Sequence, residues 1–323
     1  MKRTLLALGA CALVACWTGA QAQDWPARQV RLIVPTGPGA ATDVMARLMA
    51  NEVSKVIGAT VYVENLPGAS GLPAHQAAAR AAPDGYTFLF TNTSGMALNP
   101  VAFKQLPYNP AVDFAAVAMV ADLGPQMVSV HKDVPVKTLP ELIAYEKANS
   151  GKIDYAVDIT AGAPAILARL LAKRTQTNMA EVPYKSAAQM IQDVVAGRIP
   201  VLVSSIAVVR SFVDSGEIRP IAIFSGRRFP TLPDVPPVAD TLPGTIMDGF
   251  FAVVAPARTP PEIIAKFNRA VDDFLKTPEA PARLAAIGLG TSGAGTPETT
   301  ARYIAEEQQR WRELAIELKI EPQ

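Results

Sequence analysis

Short β-branched runs alternate with segments of helical period along this chain, and that alternation limits its fold more than any other feature. Val30 to Val34 is β-rich and stops at Pro35, before the Gly-rich loop Thr36-Gly37-Pro38-Gly39-Ala40. Met45, Leu48, Met49, Val53 and Val56 then recur every three or four residues, the helical period. Gly58 is a suitable helix stop, and Val61 to Val63 is the next strand. Ala74 to Ala82 forms an alanine-rich helix ended by Pro83-Asp84-Gly85, and Tyr86 to Phe90 is the third strand. A β-α-β-α-β run demands a parallel sheet with right-handed crossovers.

A second set of the same kind begins at Met127. Strands are expected at Met127 to Val130, Ile153 to Val157, Glu181 to Pro183, Ile199 to Val203 and Ile218 to Phe224. Thr138 to Glu141 and Ser186 to Gln189 read as capping boxes opening helices, and Pro164 to Lys173 as a further helix. The Pro-rich stretch Phe229 to Pro243 reads as an ordered surface loop, and Phe250 to Val254 as a strand. Thr259-Pro260-Pro261-Glu262 is expected to cap the next helix, and two more follow, the last over Pro297 to Leu318 with Tyr303, Trp311, Leu314 and Leu318 as core anchors.

Composition removes several classes of function. The 323 residues suggest two domains, at about 150 residues each. Half the residues are hydrophobic and 18% are charged, which excludes a disordered chain. Lys and Arg total 30 against 29 Asp and Glu, so there is no basic field for nucleic acid. Two cysteines cannot build a thiolate zinc site. Two histidines, His75 and His131, leave little scope for metal or triad chemistry; both read as surface or capping residues. Gly37-Pro38-Gly39 lacks the Lys-Ser/Thr of a phosphate loop, and Gly68-Ala69-Ser70-Gly71 is not a nucleophile elbow. No catalytic residue, metal or cofactor is expected.

Residues 1–22 read as a secretory signal peptide: Lys2 and Arg3, an apolar stretch to Trp17, and Ala20-Gln21-Ala22 as the cleavage site. Cys11 and Cys16 both lie in it, so the exported chain has no cysteine and no disulfide. Leu13-Val14-Ala15-Cys16 is a competing lipobox, which would anchor the chain through an acylated Cys16.

In open α/β sheets, ligands collect beyond the carboxyl ends of the strands. Four polar loops leave such ends here. The first runs from Pro35 to Asp43 and offers Thr36, Gly37, Gly39, Ala40 and Asp43; the second offers Asn92, Thr93 and Ser94. The third runs from Asp158 to Ala163, with Thr160, Ala161 and Gly162; the fourth passes through Tyr184 and Lys185 to Ser186. Ser204, beyond the strand at Ile199 to Val203, completes the set. Helix N-termini with unpaired N–H groups favour anions, so a cleft for a small anion is expected where these loops share one edge. Taken singly, each loop reads equally well as helix caps.

The runs "RLIVPTGPGAATDVMARLMA", "VENLPGASG", "APDGYTFLFTNTS", "LNPVAFKQLPYNPAVDFAAVAMV", "VPYK", "LPDVPPVAD" and "VVAPARTPPEIIAKFN" resemble the tripartite tricarboxylate transporter receptor family, the Bug or TctC-type solute-binding proteins. The resemblance covers the whole exported chain. It implies a two-lobed periplasmic-binding-protein-like α/β fold of type II with a hinge of crossing strands. Residues 23–122 plus 250–323 would form one lobe and 123–249 the other. It implies a non-enzymatic, monomeric periplasmic receptor that holds a small organic, carboxylate-bearing solute and delivers it to membrane permease subunits. Pro35, Pro38, Gly39, Thr42 and Asp43 match the family's first ligand loop, Asn92 the second, and Tyr184 and Lys185 the "VPYK" turn. The chain departs from the pattern at Thr36-Gly37, where Phe-Pro is commoner. It departs again at Asp158, where a neutral Ser or Thr is usual, at Ala165, where His is usual, and at Pro200. A carboxylate at 158 facing the cleft would disfavour di- and tricarboxylates; a capping role for Asp158 would not. A solute sensor with a signalling partner and an exported hydrolase are the competing readings.

Overall fold

The computed structural model describes residues 25–123, 126–157, 163–184, 186–226, 228–229, 232–286 and 289–322. In chain order the first elements are β1 (Val30–Val34), α1 (Ala41–Ile57), β2 (Val61–Asn65), α2 (Leu72–Ala79), β3 (Thr87–Asn92), α3 (Asn99–Ala102) and β4 (Phe114–Leu123). There follow β5 (Gln126–His131), α4 (Leu139–Ala148), β6 (Asp154–Val157), α5 (Ala163–Thr175), β7 (Ala180–Pro183), α6 (Ala187–Val195), β8 (Val201–Ser205), α7 (Ile206–Asp214) and β9 (Ile218–Ile223). The chain closes with β10 (Gly249–Pro256), α8 (Pro261–Leu275), α9 (Ala280–Ala285) and α10 (Pro297–Leu318).

Two five-stranded sheets result, ordered β2-β1-β3-β10-β4 and β7-β6-β8-β5-β9. In the first, β1 pairs parallel with β2 and β3, and β10 runs antiparallel between β3 and β4. In the second, β6 pairs parallel with β7 and β8, and β5 lies antiparallel to β8 and β9. The chain passes from the first sheet to the second between Leu123 and Gln126 and is back in the first at Gly249. This is the two-lobed α/β architecture with crossing strands that the resemblance implies.

Both faces of the first sheet are covered. Leu32, Val34, Phe251 and Val253 pack with Met45, Met49, Val53 and Phe267 on one side. Ile33, Leu89, Phe250 and Val254 pack with Ala74, Ala78 and Ile304 on the other. The continuous apolar runs of these strands follow from that double burial. In α1 the helical-period residues Met45, Met49 and Val53 are fully buried, and Gly58 (φ 73°) closes the helix by donating its N–H to Ser54 O at 3.1 Å.

α10 spans both units. Tyr303 meets Phe250 edge-on at 5.7 Å, whereas Trp311 and Leu314 lie in the core of the second sheet with Val201 and Leu171. Near its end Glu317 pairs with Arg174 of α5 at 2.8 Å.

Several local expectations need correcting. The sequence pattern does not single out β4 or α7 as elements. Thr138 Oγ1 accepts the Glu141 N–H (3.3 Å), but Glu141 reaches Lys137 N–H (2.6 Å) rather than closing the box on Thr138. Thr259 does not cap α8: Pro260 holds that position, and Thr259 Oγ1 donates to Pro256 O at 2.8 Å. Pro261 in the first helical position has no N–H to cap.

Candidate functional site

The first wall of the site grows from the carboxyl ends of β1, β2 and β3, which lie side by side. Asn65, the last residue of β2, donates from Nδ2 to Thr36 O and to Asp43 Oδ1, both at 2.8 Å. Asp43 Oδ2 accepts the Gly39 N–H at 2.9 Å, and Arg47 binds both Asp43 (3.0 Å) and Asn65 Oδ1 (2.9 Å). Burial opposes ionisation of Asp43, but the bonds from Arg47, Asn65 and Gly39 outweigh it and hold the carboxyl below its ordinary value. Asp43 is thus spent on shaping the loop. It does not cap α1, whose N-terminus at Ala40 has no side-chain cap. Gly39 sits at φ +83°, and a Cβ at Gly37 or Gly39 would meet nothing within 4 Å, so the loop presents bare backbone to open space. The buried Thr36 Oγ1 has no partner in the protein.

Where a loop is expected after β3, Asn92 closes the strand and Ser94–Leu98 forms a helical turn running into α3; this corner is braced from behind. Asn92 Oδ1 accepts the Gly95 N–H at 3.1 Å, and Thr93 Oγ1 accepts the Phe250 N–H at 2.8 Å, tying the loop to β10; Ser94 is exposed. His75 is fully buried beneath it, which corrects the surface reading. Its Nδ1 lies 2.8 Å from Gly71 O, so that nitrogen carries the proton, and Nε2 accepts from Thr91 Oγ1 at 2.8 Å. Burial pushes the imidazole down to about 4 despite the Gly71 bond, so it is neutral. The ring stacks on Tyr108 at 4.8 Å; Tyr108 donates to Gly95 O (2.6 Å), and Asn99 donates to Tyr108 and to Ser70 O, both at 3.1 Å. A Cβ at Gly71 would come within 2.7 Å of Pro35 Cβ, so glycine lets that turn close against the first loop. His131 is likewise buried, 3.8 Å from Asp133.

The second wall grows from β6, β7 and β8, again adjacent and parallel. Asp158, Thr160, Ala161, Gly162 and Lys185 lie outside the described residues. Tyr184 donates its N–H to Val157 O (2.9 Å) and its hydroxyl to Asp193 Oδ2 (2.8 Å); burial and that carboxylate push the phenol up to about 12. Ser186 accepts the Gln189 N–H (3.3 Å) and caps α6. Ser204 is 1% exposed, and its Oγ has no partner in the protein.

The topology therefore gathers Thr36, Gly37, Gly39, Ala40, Asn92, Thr93 and Ser94 at one sheet edge, and Tyr184 and Ser204 at the corresponding edge of the other. Sequence reasoning missed Asn65, Arg47, Tyr108 and Asn99. For Asn65 there was a signal, a polar residue closing a strand of a parallel sheet. A cavity of about 460 Å³, lined by Asp122, Asp248, Thr299 and Tyr303 among others, contains none of the expected residues. Among the described residues no group of three or more His, Cys, Asp or Glu could hold a metal, and no helix is long and apolar enough to cross a membrane.

The chain is 33% identical over 304 residues to Protein BugT of Bordetella pertussis, covering 92% of this chain and 93% of that protein. It is 31% identical over 322 residues to a UPF0065 protein of Bordetella bronchiseptica, covering 100% of this chain and 95% of the relative. Among solved structures, R. palustris Rpa4515 with adipate matches with a TM-score of 0.77 at 32% identity, over 93% of this chain and 100% of that one. MatC (Rpa3494) from Rhodopseudomonas palustris with bound malate matches with a TM-score of 0.71 at 28% identity, over 90% and 99%. The model of the tripartite tricarboxylate transporter family receptor matches residues 45–320. On these grounds the chain belongs to the tripartite tricarboxylate transporter receptor family.

Proposed function

We propose that the chain is a non-enzymatic periplasmic receptor that captures a small organic, carboxylate-bearing solute between its two sheets and hands it to the membrane permease subunits of an ion-driven tripartite transporter. It is exported as a monomer by cleavage after Ala22, with residues 23–122 plus 250–323 as one lobe and 123–249 as the other. The observation that carries this reading is a donor set at the carboxyl-end edge of each sheet. Glycine backbone and Thr36 Oγ1 stand at the edge of one sheet, Ser204 Oγ at the edge of the other, and both hydroxyls are buried without a protein partner. A buried polar group left so is costly unless a ligand completes it. The similar proteins that carry adipate and malate support a carboxylate as that ligand.

A thermal-shift screen of mono-, di- and tricarboxylates, amides and amino acids tests the reading. Binding at a hundredfold excess over Kd adds about 2.7 kcal/mol of stability, so a carboxylate should raise Tm by several degrees. No shift from any carboxylate would sink it. The same screen decides the role of Asp158. A carboxylate facing the cleft should make monocarboxylates or amides the better ligands, and Asp158→Asn should then strengthen dicarboxylate binding. A dicarboxylate preference unchanged by Asp158→Asn assigns it to capping.

A further inference from the structure

A small pocket, about 50 Å³, lies where segments of both sheets meet. Gln126 lines it from the first residue of β5, Asp248 from the chain just before β10, Ser94 from the helical turn after β3, and Trp311 from the middle of α10. Two of the lining residues each carry a buried polar atom, Trp311 Nε1 and Gln126 Oε1, and neither atom meets a hydrogen-bond partner in the protein. Trp311 is 3% exposed, so bulk solvent does not serve it. Buried polar groups are rarely left unpaired, and two unpaired groups on residues lining one cavity share a single remedy. The indole N–H only donates and the amide oxygen only accepts. What joins them must accept from one and donate to the other, and must fit a space with apolar walls at Leu167 and Met247.

We propose that this cavity is a structural-water site. A water molecule accepts from Trp311 Nε1–H and donates to Gln126 Oε1, with Thr93, Ser94 and Asp248 as the remaining polar residues of the lining. The volume admits a water with room to spare. The bridge ties α10 to the strand that leaves the crossing between the sheets.

A high-resolution crystal structure of the solute-free protein should show ordered density about 3 Å from both atoms. In solution the Trp311 indole resonance, assigned by its loss in Trp311→Phe, should show a magnetisation-transfer peak to water. Trp25 is the internal control, because its indole N–H bonds Gly85 O directly at 3.0 Å and should show none. Gln126→Met, which keeps the indole and removes the acceptor, should abolish the density and the transfer peak, and it carries the test if Trp311→Phe fails to fold. A direct protein acceptor on Nε1, a solute atom between the two groups, or a water peak unchanged in Gln126→Met would each overturn the proposal.

Discussion

At the edge of the first sheet Asp43, Asn65, Arg47, Thr93 and His75 all bond to other parts of the protein. At the edge of the second, among the described residues, the side chains of Tyr184 and Ser186 bond to α6, and Ser204 Oγ meets no partner in the protein. The first edge spends its side chains on fixing a glycine backbone, so its donors are set before a ligand arrives and cost little further ordering. Each edge keeps a buried hydroxyl without a protein partner, Thr36 Oγ1 on the first and Ser204 Oγ on the second, whose desolvation is offset only when a ligand fills the cleft. The edges thus differ, among the described residues, in how heavily the backbone around that hydroxyl is braced.

Substitutions that act on the two edges differently can break that contrast. The largest effect is expected at Gly95, where a Cβ would lie 1.9 Å from His75 Nε2. Gly95→Ala should destabilise the protein by about 3 kcal/mol, at the upper end for an overpacked core. A loss under about 0.5 kcal/mol by chemical denaturation would show that the first edge gives way and is not rigid.

Glu307 lies on α10 between its two packing halves and is fully buried. Burial pushes its carboxyl up to about 7 against the pull of Arg310, with Asp248 and Glu306 adding to the rise. The unfolded chain loses this proton near the ordinary value of 4.5 and the folded chain near 7, so the unfolded state binds fewer protons in between. Stability should therefore fall as pH rises from about 4.5 to about 7 and be level above, by about 3 kcal/mol at 1.36 kcal/mol per pKa unit. Glu307→Gln should remove that fall in denaturation curves taken from pH 4 to pH 8. Parallel curves for the two proteins would refute it.

Asp43→Asn removes the charge that binds Arg47 and weakens the hold on Gly39. A stability loss of about 2 kcal/mol is expected, in the range for a buried charged hydrogen bond, together with weaker solute binding by calorimetry. Ser204→Ala is the counterpart on the other edge. With no protein bond to lose, its stability should stay within about 0.5 kcal/mol, while affinity for the solute drops about fivefold or more, the worth of about 1 kcal/mol. Equal effects of both substitutions on stability would erase the distinction between the edges.

How much of this could be read from the chain follows from the range of the interactions. Strand and helix alternation is local, so Val30–Val34 and the helix through Met45 and Val53 are legible, and so is the polar loop after β1; the third strand, expected at Tyr86 to Phe90, runs over Thr87–Asn92 and takes in Thr91 and Asn92 of its expected loop. β4 reads as Phe-Ala-Ala-Val-Ala-Met-Val, with alanines that favour no strand; it is a strand because β10 pairs along it. His75 stands in an alanine-rich helix, and nothing nearby in sequence announces Thr91 or Tyr108, 16 and 33 residues away. The Asp43–Asn65 bond spans 22 residues and depends on β1 and β2 being neighbours, which only the assembled sheet provides.

α10 begins against one sheet and ends against the other, and it is 22 residues long, about 33 Å at 1.5 Å per residue. A rigid rod rooted in two bodies converts a small angle between them into a large travel at its tip. Rotation by about 0.1 radian over that length moves the far end about 3 Å. Ile316, 79% exposed near that tip, is the natural place for a reporter dye. A label there would report any rotation of the second sheet against the first as displacement, which makes the helix a pointer for the angle between them.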